Sequence, residues 1–319
     1  MKAVRYHDYG GPEVLRYEDA PTPQPGPREI LVRVHAAGVN PADRQIRAGL
    51  RFRLEQTFAF IPGCEVSGVV VQTGADVTEF AVGDDVYGMT GFGGGCAEYV
   101  VASVHNLGRK PASVEHVQAA ALPVAALAAW EALFEVGGLD AGQKTLVHAA
   151  AGGVGHIAVQ LAKWRHAHVV GTASARNEVF LRELGVDEFI DYRTTAFESV
   201  VREVDVVLDA VPREADDETD VLARETMERS WAVLKDGGIQ VSICANPTPG
   251  PEAARRGLRG AYAGAKPGGD LLNRIAGLVD EGMLRPDVGT VLPLQEARQA
   301  HELIQTGHTR GKIVLRCIE

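Results

Sequence analysis

Thr145–Gly155, TLVHAAAGGVG, reads as a buried strand that runs into a glycine-rich turn and opens a helix. The spacing Ala150-x-Gly152-x-x-Gly155 matches a dinucleotide-binding fingerprint with Ala in the first glycine place. In such a turn the residue type at each place has a physical reason. Gly152 lets the backbone approach a pyrophosphate, and Gly155 lets helix and strand pack closely. The N–H groups from Ala151 through Gly153 and Val154 to Gly155 face the anion at the helix start. The helix that must follow is present, because Val154, Ile157, Ala158, Leu161 and Ala162 recur at helical spacing and form one apolar face.

Downstream of this turn, short β-branched runs alternate with helical patterns. His168–Gly171, Glu188–Asp191, Val204–Asp209 and Ile239–Ile243 read as strands, and Asn177–Leu184 and Met227–Leu234 as helices. Strict alternation predicts a parallel, doubly wound sheet covered by helices on both faces, with its ligand at the carboxyl ends of the strands. Upstream, QAAALPVAALAAWEALFEVGG is Ala-rich with a Gly-Gly stop and predicts a helix leading into this domain. The first third has a different grain, since Met1–Arg5, Val14–Glu18, Glu29–Ala36, Val66–Thr73, Asp85–Tyr87 and Ala97–Ala102 are β-like runs. No helical spacers separate them, which predicts a compact, partly closed β domain. The tail carries helical patterns at Leu271–Glu281 and Leu294–Gln305 and β-like runs at Gly289–Leu292 and Lys312–Arg316, and the late strands are expected to return to the first domain. Pro212–Asp220, PREADDETD, is acidic and reads as a solvated insertion.

The bulk properties exclude several classes. With 319 residues the chain has room for about two domains, and 45% hydrophobic with 23% charged residues is ordinary for a globular protein. A formal net charge of -10 opposes a nucleic-acid or anionic-membrane surface. The first residues, MKAVRYHDYGG, lack the apolar core of a secretory signal, and no membrane span is expected, so the expected location is cytoplasmic. Cys64, Cys96, Cys244 and Cys317 are far apart with no CxxC pair, a pattern of reduced thiols.

A series of collinear motifs carries a resemblance: MKAVRYHDYGGPEVL, VHAAGVNPADRQIRAG, IPGCEVSGVV, VGDDVYG, GCAEYV, WEALFEVGGL, AAAGGVGHIAVQLAK, RELGVDEFIDYR and GKIVL. From end to end the chain resembles the medium-chain dehydrogenase/reductase superfamily, in its zinc-independent quinone oxidoreductase (zeta-crystallin-like) branch. The resemblance implies an α/β protein in which a GroES-like β-rich catalytic domain, residues 1–120 and 266–319, is interrupted by a Rossmann domain, residues 121–265. It also implies a homodimer joined through an edge strand, for which Leu258–Ala263 is the candidate.

Zinc-using relatives carry a Cys after the VxAxG strand, a His in a GHE triplet and a third ligand early in the cofactor domain. Here those places hold Asn40, Cys64 and the ligand-free segment 123–126, and only Cys96 lies between Tyr87 and Arg109, so no metal is expected. An NAD enzyme usually has an acid at the end of the second strand, whereas this strand ends Val170-Gly171-Thr172-Ala173-Ser174-Ala175-Arg176. Ser174 and Arg176 suit a 2′-phosphate, which makes NADP(H) the expected cofactor. By resemblance Tyr192 of IDYR packs at that phosphate, although Glu178 stands where relatives often have a Lys. Fold position adds Thr172 to the strand end, and Ser242 and Asn246 to the nicotinamide side.

For the chemistry, Asn40 and Asp43 of VNPAD occupy the motif that lines the substrate cleft in quinone-reductase-like relatives, and the same residues also suit a turn and a helix cap. Two places depart from the relatives: Ala128 replaces a Thr near the nicotinamide, and the loop from 49 to 60 holds Phe52, Phe58 and Phe60 but no Tyr. The expected activity is NADPH-dependent hydride transfer to a small quinone or α,β-unsaturated carbonyl. The alternatives are a 2-enoyl-thioester reductase, for which Arg47, Arg51 and Arg53 would form a phosphate landing strip, and a non-catalytic NADPH-binding protein.

Overall fold

The structure is a computed structural model that describes residues 1–50, 58–213 and 218–318. The chain divides into two compact units, Met1–Val124 with Pro267–Glu319, and Ala125–Lys266.

The first unit begins with a two-stranded antiparallel ribbon, β1 (Lys2–Arg5) and β2 (Arg16–Asp19). Then come β3 (Glu29–Val39), α1 (Pro41–Arg47), β4 (Glu65–Thr73), β5 (Asp85–Met89), β6 (Tyr99–Ser103), β7 (Leu107–Arg109) and α2 (His116–Ala119). Alternation in β3 places Ile30, Val32 and Val34 on one face, where Val66, Val70, Val86, Val100 and Leu107 close a fully apolar core. Hydrophobic burial here stabilises by about 1.5–3 kcal/mol per large side chain.

α3 (Pro123–Trp130) starts in the first unit and runs into the second, which contains β8 (Lys144–Val147), α4 (Gly155–Trp164), β9 (His168–Ala173), α5 (Glu178–Glu183), β10 (Glu188–Asp191) and α6 (Phe197–Val200). It continues through β11 (Val204–Asp209), α7 (Glu218–Ser230), β12 (Leu234–Ser242), α8 (Pro251–Arg255) and β13 (Arg259–Tyr262). Its six strands are all parallel in the order β10-β9-β8-β11-β12-β13. Chain order reverses direction between β8 and β11, which is the topological switch point where open α/β sheets bind ligands. β13, within the segment read as an edge strand, lies at the edge.

The chain then returns to the first unit through α9 (Gly269–Asp280), β14 (Val288–Pro293), α10 (Ala297–Gln305) and β15 (Lys312–Arg316). β15 pairs antiparallel with β3 from Ile313↔Val39 to Arg316↔Ala36, so the last strand completes a seven-stranded sheet begun by the first third.

Three sequence readings are corrected. The helix read at Met227–Leu234 ends at Ser230, and Leu234 already opens β12 opposite Val204. Met227, Trp231 and Leu234 mimic helical spacing, yet Trp231 and Leu234 are buried because they pack in the sheet core rather than along one helix face. The single Ala-rich helix is broken before Pro123, which has no N–H and therefore starts α3 instead of continuing α2; past Trp130 the helix relaxes into a π turn, Glu131–Val136. Within the 21 residues of His116–Val136, an 18-residue window reaches a mean hydropathy of 1.5, so a stretch apolar enough to span a bilayer does exist; 72% of that window is buried within the protein, where its apolar surface is covered. In the acidic segment, α7 begins at Glu218, and residues 214–217 lie outside the described residues.

Candidate active site

β8 ends at Val147, and the chain turns sharply at Ala149, whose φ of 52° lies in the left-handed region. Ala150 N–H donates to Thr172 O at 3.0 Å and His148 N–H to Leu208 O at 2.9 Å, so the turn is tied to the ends of both neighbouring strands. A Cβ on Gly155 would meet Ala150 Cα at 2.8 Å and run into the Ala149 carbonyl oxygen, which explains the glycine by close packing of helix on strand. Gly152 has a different role, since a Cβ there would meet only Ala149 O, at 3.2 Å, and its outer side is open. Among the described residues, the N–H groups of Ala151, Gly153 and Val154 have no internal acceptor. They lie at the start of α4 at the switch point, an arrangement that fits a pyrophosphate.

A buried network holds this turn from beneath. Ser230 Oγ donates to Thr226 O at 2.6 Å, so it must accept from His148 Nε2, 3.0 Å away. His148 Nδ1 is then the acceptor for the Thr172 hydroxyl at 3.0 Å. Burial pushes the imidazole down to about 3, which keeps it neutral in this role. Thr172 is only 3% exposed, and its hydroxyl faces inward, so its side chain supports the turn instead of presenting itself to a ligand.

β9 and β10 end side by side, with Asp191 opposite Ala173 and Tyr192 N–H donating to Ala173 O at 3.3 Å. Ser174, Arg176 and Tyr192 are thereby gathered at adjacent carboxyl ends. Ser174 Oγ accepts from Asn177 Nδ2 at 3.3 Å, Arg176 is exposed, and Tyr192 is exposed beside Arg193, whose guanidinium carbon is 5.8 Å from the ring centre. The four residues that follow β9, Ser174 to Asn177, include no carboxylate. At the end of β12, Ser242 is fully buried and its hydroxyl is saturated: it donates to Asp209 Oδ2 at 3.0 Å and accepts from Cys244 N and Ala245 N at 3.1 and 3.2 Å. The expected cofactor contact at Ser242 is therefore corrected to a turn-forming role; Asn246, four residues on, is exposed. Desolvation raises the Asp209 carboxyl, which Ser242, Val211 N–H and Arg213 counteract.

In the first unit α1 starts at Asn40, and Pro41 supplies the fixed φ of a first helical residue. Asp43 Oδ2 accepts the Asn40 N–H at 2.8 Å and Oδ1 accepts the Cys64 thiol at 2.9 Å. Asp43 is 2% exposed, and burial raises its carboxyl and also the Cys64 thiol. The Asn40 side chain has other partners: Nδ2 donates to Glu65 Oε1 at 2.8 Å, and Oδ1 accepts from Lys312 Nζ at 2.5 Å. Lys312 Nζ also reaches Glu65 Oε1 at 2.7 Å and Val39 O at 3.3 Å, while Glu65 Oε2 accepts Val124 N–H at 2.7 Å. Sequence reasoning quoted Glu65 and Lys312 inside motifs without assigning them. The signal was a lone charge in each of two otherwise apolar strands, GCEVSGVV and GKIVL.

Among the described residues no group of three His, Cys, Asp or Glu is placed to hold a metal, and the Cys64 thiol keeps its proton for Asp43. The cationic strip is also revised: Arg47 is 1% exposed, and its guanidinium binds Gly10 O at 3.1 Å, His301 Nδ1 at 2.8 Å and Gln305 Oε1 at 3.3 Å. Arg51 and Arg53 lie outside the described residues, as does Phe52. Phe60 packs on the core with its ring 5.4 Å from that of Tyr6, and Phe58 touches Tyr9 at 5.1 Å.

Comparison with known proteins agrees with this geometry. The family model for the alcohol dehydrogenase GroES-like domain matches residues 26–112, and that for zinc-binding dehydrogenase matches residues 184–315. The chain is 35% identical over 338 residues to the chloroplast envelope quinone oxidoreductase homolog of Arabidopsis thaliana, covering 99% of this chain and 98% of the relative. Among solved structures, the quinone oxidoreductase from Coxiella burnetii superposes with a TM-score of 0.86 at 34% identity, covering 99% of each chain. The Escherichia coli quinone oxidoreductase complexed with NADPH gives 0.85 at 26% identity, over 99% of this chain and 100% of that one. A GroES-like β unit interrupted by a parallel-sheet nucleotide-binding unit defines an NAD(P)H-dependent oxidoreductase. The chain belongs to the medium-chain dehydrogenase/reductase superfamily, in its quinone oxidoreductase branch.

Proposed function

We propose that this protein is a zinc-independent reductase that uses NADPH to reduce quinones or small α,β-unsaturated carbonyls. The observation that carries the cofactor choice is the pairing of β9 and β10, which brings Ser174, Arg176 and Tyr192 together where an NAD enzyme would place a carboxylate. A hydroxyl, a guanidinium and a phenol suit a 2′-phosphate, and the unpaired N–H groups of Ala151, Gly153 and Val154 suit the pyrophosphate.

When bound, the reduced nicotinamide supplies the hydride. The chain has to orient the acceptor and stabilise charge developing on its oxygen. Asn40 is the residue for this, with an amide N–H beyond the one given to Glu65. Asp43 holds the Asn40 backbone and the Cys64 thiol, so it shapes the start of α1 and the proton that completes reduction comes from solvent. The thioester-reductase reading has lost Arg47, the one member of its cationic strip that the structure describes. We also propose a homodimer joined along β13, the open edge of the parallel sheet, and a cytoplasmic location. An NADPH-consumption screen across benzoquinones, a simple enone and a crotonyl thioester tests the substrate class. Turnover of quinone or enone supports it, and turnover of the thioester alone contradicts it.

A further inference from the structure

The interior of the first unit holds a desolvated ion pair, Lys312 with Glu65, whose side chains are 4% and 0% exposed. Nothing about a β sheet requires it. A buried pair of this kind contributes little net stability over an apolar pair, so its presence asks for another explanation. The pair lies against the Asn40 side chain, and its chemistry is directional. A lysine only donates and a carboxylate only accepts, so Asn40 must turn Oδ1 to Lys312 and Nδ2 to Glu65. Flipping the amide would set N–H groups against an ammonium and a carbonyl oxygen against a carboxylate.

We propose that Lys312 and Glu65 are positioning residues that lock the Asn40 amide in one orientation, leaving a single Nδ2–H free to donate to the carbonyl oxygen of the acceptor. The inference rests on the reading of Asn40 as the substrate contact. Glu65 is itself held by Val124 N–H, and Lys312 by Val39 O, the residue before Asn40, so the lock has few degrees of freedom. Asp43 fixes the backbone of Asn40 independently. Two devices thus converge on one residue: a cap that sets its backbone and an ion pair that sets its side chain.

The test is a kinetic cycle on full-length protein with a benzoquinone as acceptor. Lys312→Met alone strands a buried carboxylate, so Lys312→Met/Glu65→Gln, which removes both charges, is the main variant, with thermal unfolding to verify that it folds. With both charges gone, the glutamine introduced in place of Glu65 can face either end of the amide, so Asn40 is free to flip about its two-fold χ2, and with the three χ1 wells this is expected to lower kcat about fivefold to tenfold, with the Kd for NADPH unchanged. Asn40→Ala is expected to lower kcat about a hundredfold, the scale of one donor to a developing oxyanion. The decisive arm is the triple variant: if the pair acts through Asn40, adding Lys312→Met/Glu65→Gln to Asn40→Ala causes no further loss. Multiplicative losses, or an unchanged kcat in the folded double variant, overturn the inference while leaving the quinone-reductase reading intact. Absence of turnover in the wild-type protein overturns both.

Discussion

Arg47→Met is the perturbation for which the structure gives the most definite magnitude. Arg47 lies at the end of α1, is 1% exposed and gives three hydrogen bonds, to Gly10 O, His301 Nδ1 and Gln305 Oε1, joining α1 to the first loop and to α10. Burial lowers the guanidinium to about 10, so it remains charged at neutral pH. Hydrogen bonds from a charged donor contribute about 1.5–3 kcal/mol each, but the guanidinium was itself desolvated to make them, at a cost of several kcal/mol. Methionine preserves the packing of the stem and strands the buried His301, whose Nε2 already lacks a partner among the described residues. The net expectation is a loss of about 3–5 kcal/mol, as for breaking other buried charged networks. Arg47→Met/His301→Leu should recover about 1–2 kcal/mol by removing the stranded imidazole. Urea denaturation followed by far-UV circular dichroism measures both. A loss below about 1 kcal/mol, the scale of an exposed pair, would refute the structural role, and a raised KM for a thioester substrate with unchanged stability would restore Arg47 to the phosphate strip.

Gly155→Ala drives a methyl group into the backbone at Ala149 and Ala150, and because neither can yield, NADPH affinity should fall at least tenfold with a loss of about 1–3 kcal/mol of stability; calorimetric titration and a urea melt read these out. Arg176→Ala should weaken NADPH about tenfold and leave NADH unchanged, and an unaltered ratio of the two Kd values would remove Arg176 from the 2′-phosphate site. Stability should also depend on pH in a definite direction. His148 and His301 are held neutral, each pushed down to about 3 from an ordinary 6.5, so the unfolded chain binds more protons between those values. Their contribution is complete above pH 6.5 and is lost as pH falls toward 3, about 2 kcal/mol each by pH 5. The raised carboxyls of Asp43 and Asp209 act in the opposite sense, so the clean measurement is the difference between wild type and His301→Leu in urea midpoints at pH 7 and pH 5. The variant should lose less stability on acidification, and parallel losses would contradict the assignment.

Much of the fold was legible because periodicity and glycine spacing are local. The strand readings Glu188–Asp191 and Val204–Asp209 match β10 and β11, since β-branched runs bounded by polar turns leave little choice. The fingerprint turn was legible for the same reason. What failed was non-local. Met227, Trp231 and Leu234 have helical spacing, and only the pairing of Leu234 with Val204 turns the last of them into a strand residue. The placement of the candidate residues at strand ends was legible, and their hydrogen-bond partners were not. Thr172 and Ser242 occupy the expected strand ends, yet their hydroxyls are engaged by His148 and Asp209, partners 24 and 33 residues away. Arg47 read as an exposed cation because its acceptors, His301 and Gln305, come more than 250 residues later; its separations are 254 and 258. Lys312 and Asn40 are likewise 272 residues apart, and no local pattern joins them.

The most direct test of the account is a calorimetric titration of the purified protein with NADPH and with NADH. Saturable binding of one NADPH per chain is expected, with NADH at least tenfold weaker, and with loss of that binding in Gly155→Ala. No affinity for NADPH, or binding unaffected by Gly155→Ala, would contradict it.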